Sequence, residues 1–172
     1  PVTLTLPAGD HLIELSAAGY LPFSETIMLE AGGEATYAPG LAEDAEPPVV
    51  RLPAGALTAP WQGQTPIRIS ADDNVAVADL ELALDGQTLV ATEGEEIVFD
   101  FAPATLPGLA PGQTYTLTVT AFDAAGNMGQ AALAVQVGPE PVAAMTPTVS
   151  ATPVSTPTPP ASPPPVSTAA PP

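Results

Sequence analysis

The sequence contains no cysteine and no lysine, and the only side chains that can carry positive charge are Arg51, Arg68 and His11. Without cysteine, the chain can form neither disulfides nor thiolate metal sites, so its domains depend on apolar cores. Nineteen acidic residues against two arginines give a formal charge of −17 over 172 residues. This charge predicts no nucleic-acid partner, because nucleic-acid affinity depends on cations that neutralise phosphates. It also predicts no electrostatic docking to anionic lipid.

Long apolar runs and the common catalytic patterns are absent as well. No run approaches the roughly 20 apolar residues that span a bilayer, so we expect no membrane insertion within this stretch. His11 is the single histidine, and there is no GxSxG nucleophile elbow. Neighbouring carboxylates such as Glu95 and Glu96 are more often solvated than catalytic. We therefore predict that the chain is not an enzyme and that His11 is structural or solvated.

The first segment, 1–42, consists of short alternating runs separated by turns. The runs "VTLTL" and "HLIEL", and two more around "AGGE", predict four strands. The "LPAG" turn at 6–9, the "GY" turn at 19–20 and the strand ending in "AGG" at 27–33 resemble the later two-thirds of a PEGA domain. That family is a small extracytoplasmic β module of bacteria and archaea. The resemblance implies that its opening strands lie before the first residue, so we expect an N-terminally truncated module; the alternative is a generic β meander.

The second segment, 47–138, carries about seven short runs in which apolar and polar residues alternate. Such a series over about 90 residues is typical of an antiparallel β-sandwich. Asp85 and Gly86 predict a tight hairpin turn, because glycine readily adopts positive φ. The residues expected to face the core are Ile67, Ile69, Ala71, Leu80, Leu82, Leu84, Ile97, Phe99, Phe101, Tyr115, Leu117, Val119, Ala121, Ala131, Leu133, Val135 and Val137.

Two stretches of this segment, "ISADDNVAVADLELALDG" and "PGQTYTLTVTAFDAAGN", resemble the bacterial immunoglobulin-like domains of cell-surface proteins. Tyr115 stands where such sandwiches carry their tyrosine corner. Fibronectin type III and cadherin-like folds share the architecture. The single tryptophan, Trp61, is expected to pack over one end of the sandwich; the alternative is a sugar-binding surface.

A short acidic linker, 43–46, joins the two segments, and a segment rich in Pro, Thr, Ser, Ala and Val, 139–172, follows them. The last segment lacks the large apolar side chains that a core requires, so we predict a disordered spacer with polyproline II stretches. The predicted fold class is therefore all-β. It comprises a truncated small β module, an Ig-like antiparallel β-sandwich and a disordered Pro-rich tail.

Two loops of the predicted sandwich are rich in oxygen-bearing side chains, and they meet at one end in an Ig-type strand order. The acidic linker, which carries Glu43, Asp44 and Glu46, arrives at the same end. Carboxylate and amide oxygens are calcium ligands, whereas the alternative is that these residues only shape turns through bonds to their own backbone. No other cofactor is expected. The predicted calcium ligands are Asp72, Asp73, Asn74, Asp123 and Asn127.

These patterns predict a non-catalytic, extracytoplasmic region, secreted or at the cell surface, that displays or binds other molecules. Its partner would be a protein or a cell-envelope glycan. The alternative is an accessory region of a larger protein. That protein would be a membrane receptor such as a Ser/Thr kinase, or a secreted hydrolase for which this region binds carbohydrate.

Overall fold

The structure is a computed structural model, and it describes residues 3–141. These residues belong to one compact unit, and their only helical element is a 3₁₀ turn at Pro103–Thr105. None of them forms a helix that is long and apolar enough to cross a membrane. The spacer predicted for 139–172 lies, beyond Pro141, outside the described residues. The strands are β1 (Gly9–Leu15), β2 (Phe23–Leu29), β3 (Val49–Arg51), β4 (Leu57–Ala59), β5 (Thr65–Asp72), β6 (Val77–Leu84), β7 (Gln87–Glu93), β8 (Glu96–Phe101), β9 (Thr114–Asp123) and β10 (Met128–Val137).

Strands β1 and β2 form an antiparallel two-stranded sheet in which His11 is paired with Ile27. The Phe23 ring lies beside Tyr37, with ring centroids 6.3 Å apart. The prediction of four strands in this segment is wrong, because neither 3–6 nor 33–41 forms a strand. An alternating sequence becomes a strand only where a neighbouring backbone pairs with it. Within the described chain, neither run belongs to a sheet.

Strands β3 to β10 form the predicted antiparallel sandwich. One sheet has the order β3-β5-β8, and the other has the order β4-β10-β9-β6-β7. Seven of these eight strands correspond to predicted runs. The missed strand is β4, which has only three residues and pairs in parallel with the end of β10. Three residues are too few to show an alternating pattern, so only the pairing reveals this strand.

The core lies between the two sheets, and the alternation predicted it closely. Fourteen of the predicted inward residues are at most 7% exposed, while Phe99, Tyr115 and Ala131 are half-buried. Ala59 adds a buried side chain from β4. Trp61 is partly buried against this core, which confirms its packing role. Each large aliphatic side chain buried here contributes about 1.5–3 kcal/mol to stability.

Two local features of the sandwich confirm predictions made from the sequence. Asp85 and Gly86 both have positive φ, 45° and 84°, as a two-residue type I′ hairpin turn requires. The hydroxyl oxygen of Tyr115 accepts a hydrogen bond of 2.6 Å from the backbone N–H of Ala110. A tyrosine near the start of the penultimate strand that bonds back to the preceding loop is the tyrosine corner.

The two-stranded sheet meets the sandwich through the turn at 19–20. The Asp44 N–H donates to Gly19 O at 2.9 Å, and the Leu21 N–H donates to Ala42 O at 2.8 Å. Gly19 is buried with φ 78°, and a Cβ atom placed on it would lie 2.9 Å from Ala124 O. The turn therefore lies directly against the loop between β9 and β10.

Candidate metal centre

Three carboxylates meet where the linker passes the end of the sandwich. Asp44 belongs to the linker, Asp73 directly follows β5, and Asp123 is the last residue of β9. One carboxylate oxygen from each lies within 4.8 Å of the other two. Asp44 and Asp123 are only 4% and 6% exposed, and Asp73 is half-buried. We call Asp44, Asp73 and Asp123 the aspartate cluster.

Backbone donors hold two members of the aspartate cluster in place. Asp73 Oδ2 accepts the N–H groups of Val75 and Ala76 at 2.9 and 3.0 Å. Asp123 Oδ1 accepts the N–H groups of Ala125 and Asn127 at 2.9 and 2.8 Å. These are local turns of the kind that aspartate favours, so each loop positions its own carboxylate.

Asp44 is held by both the linker and the sandwich. Its Oδ1 atom accepts the Glu46 N–H at 3.1 Å and the Asn74 side-chain amide at 3.0 Å. The Asn127 amide donates to Asp44 O at 3.1 Å and to Asp123 Oδ2 at 2.7 Å. The two asparagines therefore tie the linker to both loops by donating hydrogen bonds.

Two buried oxygens of the aspartate cluster remain without a hydrogen-bond donor from the described part of the chain. They are Asp44 Oδ2 and Asp73 Oδ1. A buried polar atom without a partner costs about 1–3 kcal/mol, and a charged one costs more. These two atoms are therefore the chemically unsatisfied part of the cluster.

No basic side chain balances the charge of the aspartate cluster. Arg51 pairs with Asp72, Arg68 pairs with Glu96, and His11 Nε2 lies 2.8 Å from Pro7 O. Burial alone would raise the pKa of Asp123, but hydrogen bonds from Asn127, Gly126 and Ala125 lower it by more, so the pKa lies below its ordinary value of 3.8. Asp123 is thus ionised at neutral pH, beside two further carboxylates.

The structure brings together part of the predicted ligand set. Asp73 and Asp123 lie in the aspartate cluster, while Asn74 and Asn127 lie beside it as donors to carboxylates. Asp72 lies outside it, because this last residue of β5 is exposed and pairs with Arg51. Side chains of successive strand residues point to opposite faces, which separates Asp72 from its neighbour.

Asp44 is the member of the aspartate cluster that the predicted ligand set omitted. Its linker was expected at this end of the sandwich, yet nothing distinguishes Asp44 from Glu43 or Glu46 in the sequence. The structure distinguishes it, because the Asp44 backbone pairs with Gly19 and its side chain turns inward. Asp44 is singled out only by its pairing with the turn at 19–20. No pattern in the sequence shows that pairing, so the sequence could not have identified this residue.

The strand order defines the class of fold: an immunoglobulin-like, or fibronectin type III-like, β-sandwich. No protein-family model matches the chain, and no curated protein matches it. Among solved structures, the chain is similar to fibronectin(III)-like modules of CbhA from Clostridium thermocellum. The identity is 15%, the match covers 53% of this chain and 98% of that chain, and the TM-score is 0.36. At this level the similarity carries no argument, so the class of fold rests on the strand order.

Proposed function

We propose that the chain is a non-catalytic, extracytoplasmic structural and interaction region, in which a PEGA-like module and an Ig-like sandwich are held in series. The observation that carries this proposal is the joint between them. Backbone hydrogen bonds of 2.8 and 2.9 Å fix the linker to the turn at 19–20, and that turn lies against the loop at 124–125. A fixed joint keeps whatever the chain displays at a constant distance and angle from its attachment.

Other features of the described residues support a structural role. Trp61 is partly buried against the core, which supports a role in the fold rather than in an open sugar-binding surface. The outward face of the two-stranded sheet exposes Leu12 and Met28, which are 60% and 72% exposed. Exposed apolar side chains beside acidic ones suit a protein partner better than a bare glycan.

The joint is tested by distance measurement between spin labels. The chain has no cysteine, so labels placed at Ser24→Cys on β2 and Gln136→Cys on β10 report a single distance. Both positions are exposed. A narrow distance distribution is expected for a fixed joint. A distribution as broad as that of a flexible linker would contradict the proposal.

The location is tested separately, on intact cells of the source organism. Antibodies against the sandwich should label intact cells or the culture medium, and external proteinase K should remove the cell-bound signal. A cytoplasmic protein of the same cells serves as the control for lysis. Protection of the chain from external protease, together with its absence from the medium, would contradict an extracytoplasmic position.

A further inference from the structure

We propose that the aspartate cluster binds one divalent cation, Ca²⁺, which holds the linker against two loops of the sandwich. The ligands would come from Asp44, Asp73 and Asp123. This inference rests on the joint of the proposed function, since Asp44 reaches the cluster only when the linker is docked. The calcium site and the rigid joint are separate hypotheses, because the hydrogen bonds of the linker can keep the joint rigid without metal.

The geometry of the aspartate cluster fits a single ion of this size. Calcium–oxygen distances are about 2.3–2.6 Å, so two ligands of one ion lie at most about 5.2 Å apart. The three carboxylate oxygens lie within 4.8 Å of one another. An ion placed among the three is at most about 2.8 Å from each oxygen, so small side-chain adjustments bring all three into contact.

The unpartnered oxygens supply evidence independent of the clustering. Asp44 is 96% buried, from its exposure of 4%, and its Oδ2 atom accepts no hydrogen bond within residues 3–141. Asp73 Oδ1 is likewise buried and without a donor. The other oxygen of each carboxylate accepts hydrogen bonds from the chain, so the free oxygen is the one available to a ligand. A cation within reach of both free oxygens would satisfy them, whereas turn formation uses only the other oxygen of each carboxylate.

The chemistry of the ligands selects calcium. Carboxylate oxygens suit hard cations, and the cluster has neither the imidazole nor the thiolate that zinc and copper prefer. Two buried carboxylates and a half-buried one, carried by a linker and two loops, suit the flexible coordination of Ca²⁺ better than Mg²⁺, which demands near-ideal octahedral geometry. Asp73 also lines an open groove with Asp72 and Glu95. This groove gives a cation a path from solvent to the only half-buried member of the cluster.

The experiment is a calcium titration of the 172-residue chain in metal-free buffer, followed by calorimetry and by thermal melting. A dissociation constant of about 10⁻⁴ M is expected, as in other extracellular calcium modules. At a calcium concentration 100-fold above that value, Tm should rise by about 5–10 °C. Magnesium at the same concentration measures general screening of the acidic chain, and it should give a clearly smaller shift.

Two variants test whether calcium binds to the aspartate cluster itself or to the acidic surface around it. Asp73→Asn retains the acceptor for the turn at 75–76 but removes one charged ligand, and the expected loss of calcium affinity is at least tenfold. Asp72→Asn is the matched control, because it makes the same change of charge one residue away, outside the aspartate cluster. Its calcium affinity should stay within about twofold of wild type, since exposed charges are screened.

Asp44→Asn provides a readout that a merely structural role would not give. Without metal, this variant removes repulsion between buried carboxylates, so its Tm should equal or exceed that of wild type. With calcium, its Tm should fall below that of wild type. This reversal of sign distinguishes a ligand from a residue that only supports the fold.

Three results would overturn the inference. They are the absence of both heat and Tm shift up to 10 mM calcium, equal shifts with magnesium and calcium, and equal loss of affinity in Asp72→Asn and Asp73→Asn. If calcium does not bind but the spin-label distance stays narrow, only the metal site fails. If calcium binds but the distance is broad, the rigid joint fails while the site stands.

Discussion

The two carboxylate oxygens of Asp123 accept different hydrogen bonds. Oδ1 closes the loop between β9 and β10 through two backbone N–H groups, and Oδ2 accepts the amide of Asn127. The stretch "DAAGN" therefore does shape a turn, as the simpler of the two sequence interpretations held. The same bonds place the carboxylate in the aspartate cluster, so a turn-forming role and a site role are compatible.

The first prediction concerns the stability that Asp123 contributes. In metal-free buffer, Asp123→Asn should lower the free energy of unfolding by about 1–3 kcal/mol at pH 7, because an amide cannot accept all three hydrogen bonds. The folded state lowers the pKa of Asp123 below 3.8. Its ionised form therefore stabilises the fold above that pH, and the contribution is lost as the pH falls below it.

Urea unfolding followed by Trp61 fluorescence, from pH 6 to pH 3, measures this difference. The gap between wild type and Asp123→Asn should narrow toward pH 3. Asp100→Asn, an exposed aspartate on β8, is the control and should show little gap at any pH. A gap that widens with falling pH would contradict the assignment.

The second prediction concerns the tyrosine corner. Tyr115→Phe removes the acceptor of the Ala110 N–H and should lower the free energy of unfolding by about 0.5–1.5 kcal/mol. Tyr20→Phe is the control, since Tyr20 is exposed and its hydroxyl has no hydrogen bond among the described residues. Urea midpoints compare the two variants. Equal effects would show that the corner bond contributes nothing measurable.

At the scale of elements, the two-stranded sheet depends on its neighbour. Two strands alone are marginally stable in water, and Leu12 and Met28 on one face remain exposed. The two-stranded sheet therefore depends on the contact of the turn at 19–20 with the sandwich as well as on the pairing of β1 with β2. Gly19 makes this contact possible, because it has no side chain and its φ is positive.

The third prediction tests that contact with a pair of glycines in similar backbone conformations. Gly19 and Gly32 have φ of 78° and 74°, but only a Cβ on Gly19 meets the sandwich, at 2.9 Å from Ala124 O. Both alanine variants share a conformational strain of about 1 kcal/mol. Gly19→Ala should cost about 1–3 kcal/mol beyond that through overpacking.

Amide hydrogen exchange shows which strands the substitution destabilises. In Gly19→Ala, protection should fall in β1 and β2 while β5 and β9 keep theirs. In Gly32→Ala, protection of all four strands should change little. Loss of protection in the sandwich, or identical patterns in the two variants, would show that the turn does not hold the sheet in place.

The whole molecule combines an acidic surface with very few sites for trypsin. Trypsin can cut only after Arg51 and Arg68, since lysine is absent. Both lie in paired strands, β3 and β5, with Arg68 opposite Val98. Cleavage at these positions requires that the paired strand opens, either locally or with the whole sandwich.

The fourth prediction follows from this placement. The folded chain should persist in trypsin at 25 °C and should give fragments 1–51, 52–68 and 69–172 once it is heated above Tm. Electrophoresis and mass spectrometry of timed samples measure the rate. Thermolysin, which does not need arginine, is the control for protease activity. Rapid native cleavage after Arg51 would show instead that β3 opens locally.

The sequence alone determined the sandwich and most of its core, because apolar residues in every second position must face one side of a strand. Ile67, Leu82 and Val135 were assigned correctly for that reason. Features that depend on contacts between distant segments become visible only in the folded chain. Strand β4 exists because β10 pairs with it, and 3–6 is no strand because no segment within 3–141 pairs with it. Asp44 rather than Asp72 joins the cluster because Gly19 fixes the linker. The alternation of apolar and polar residues predicts which face of a strand a side chain lies on. It does not predict which distant segment packs against that face.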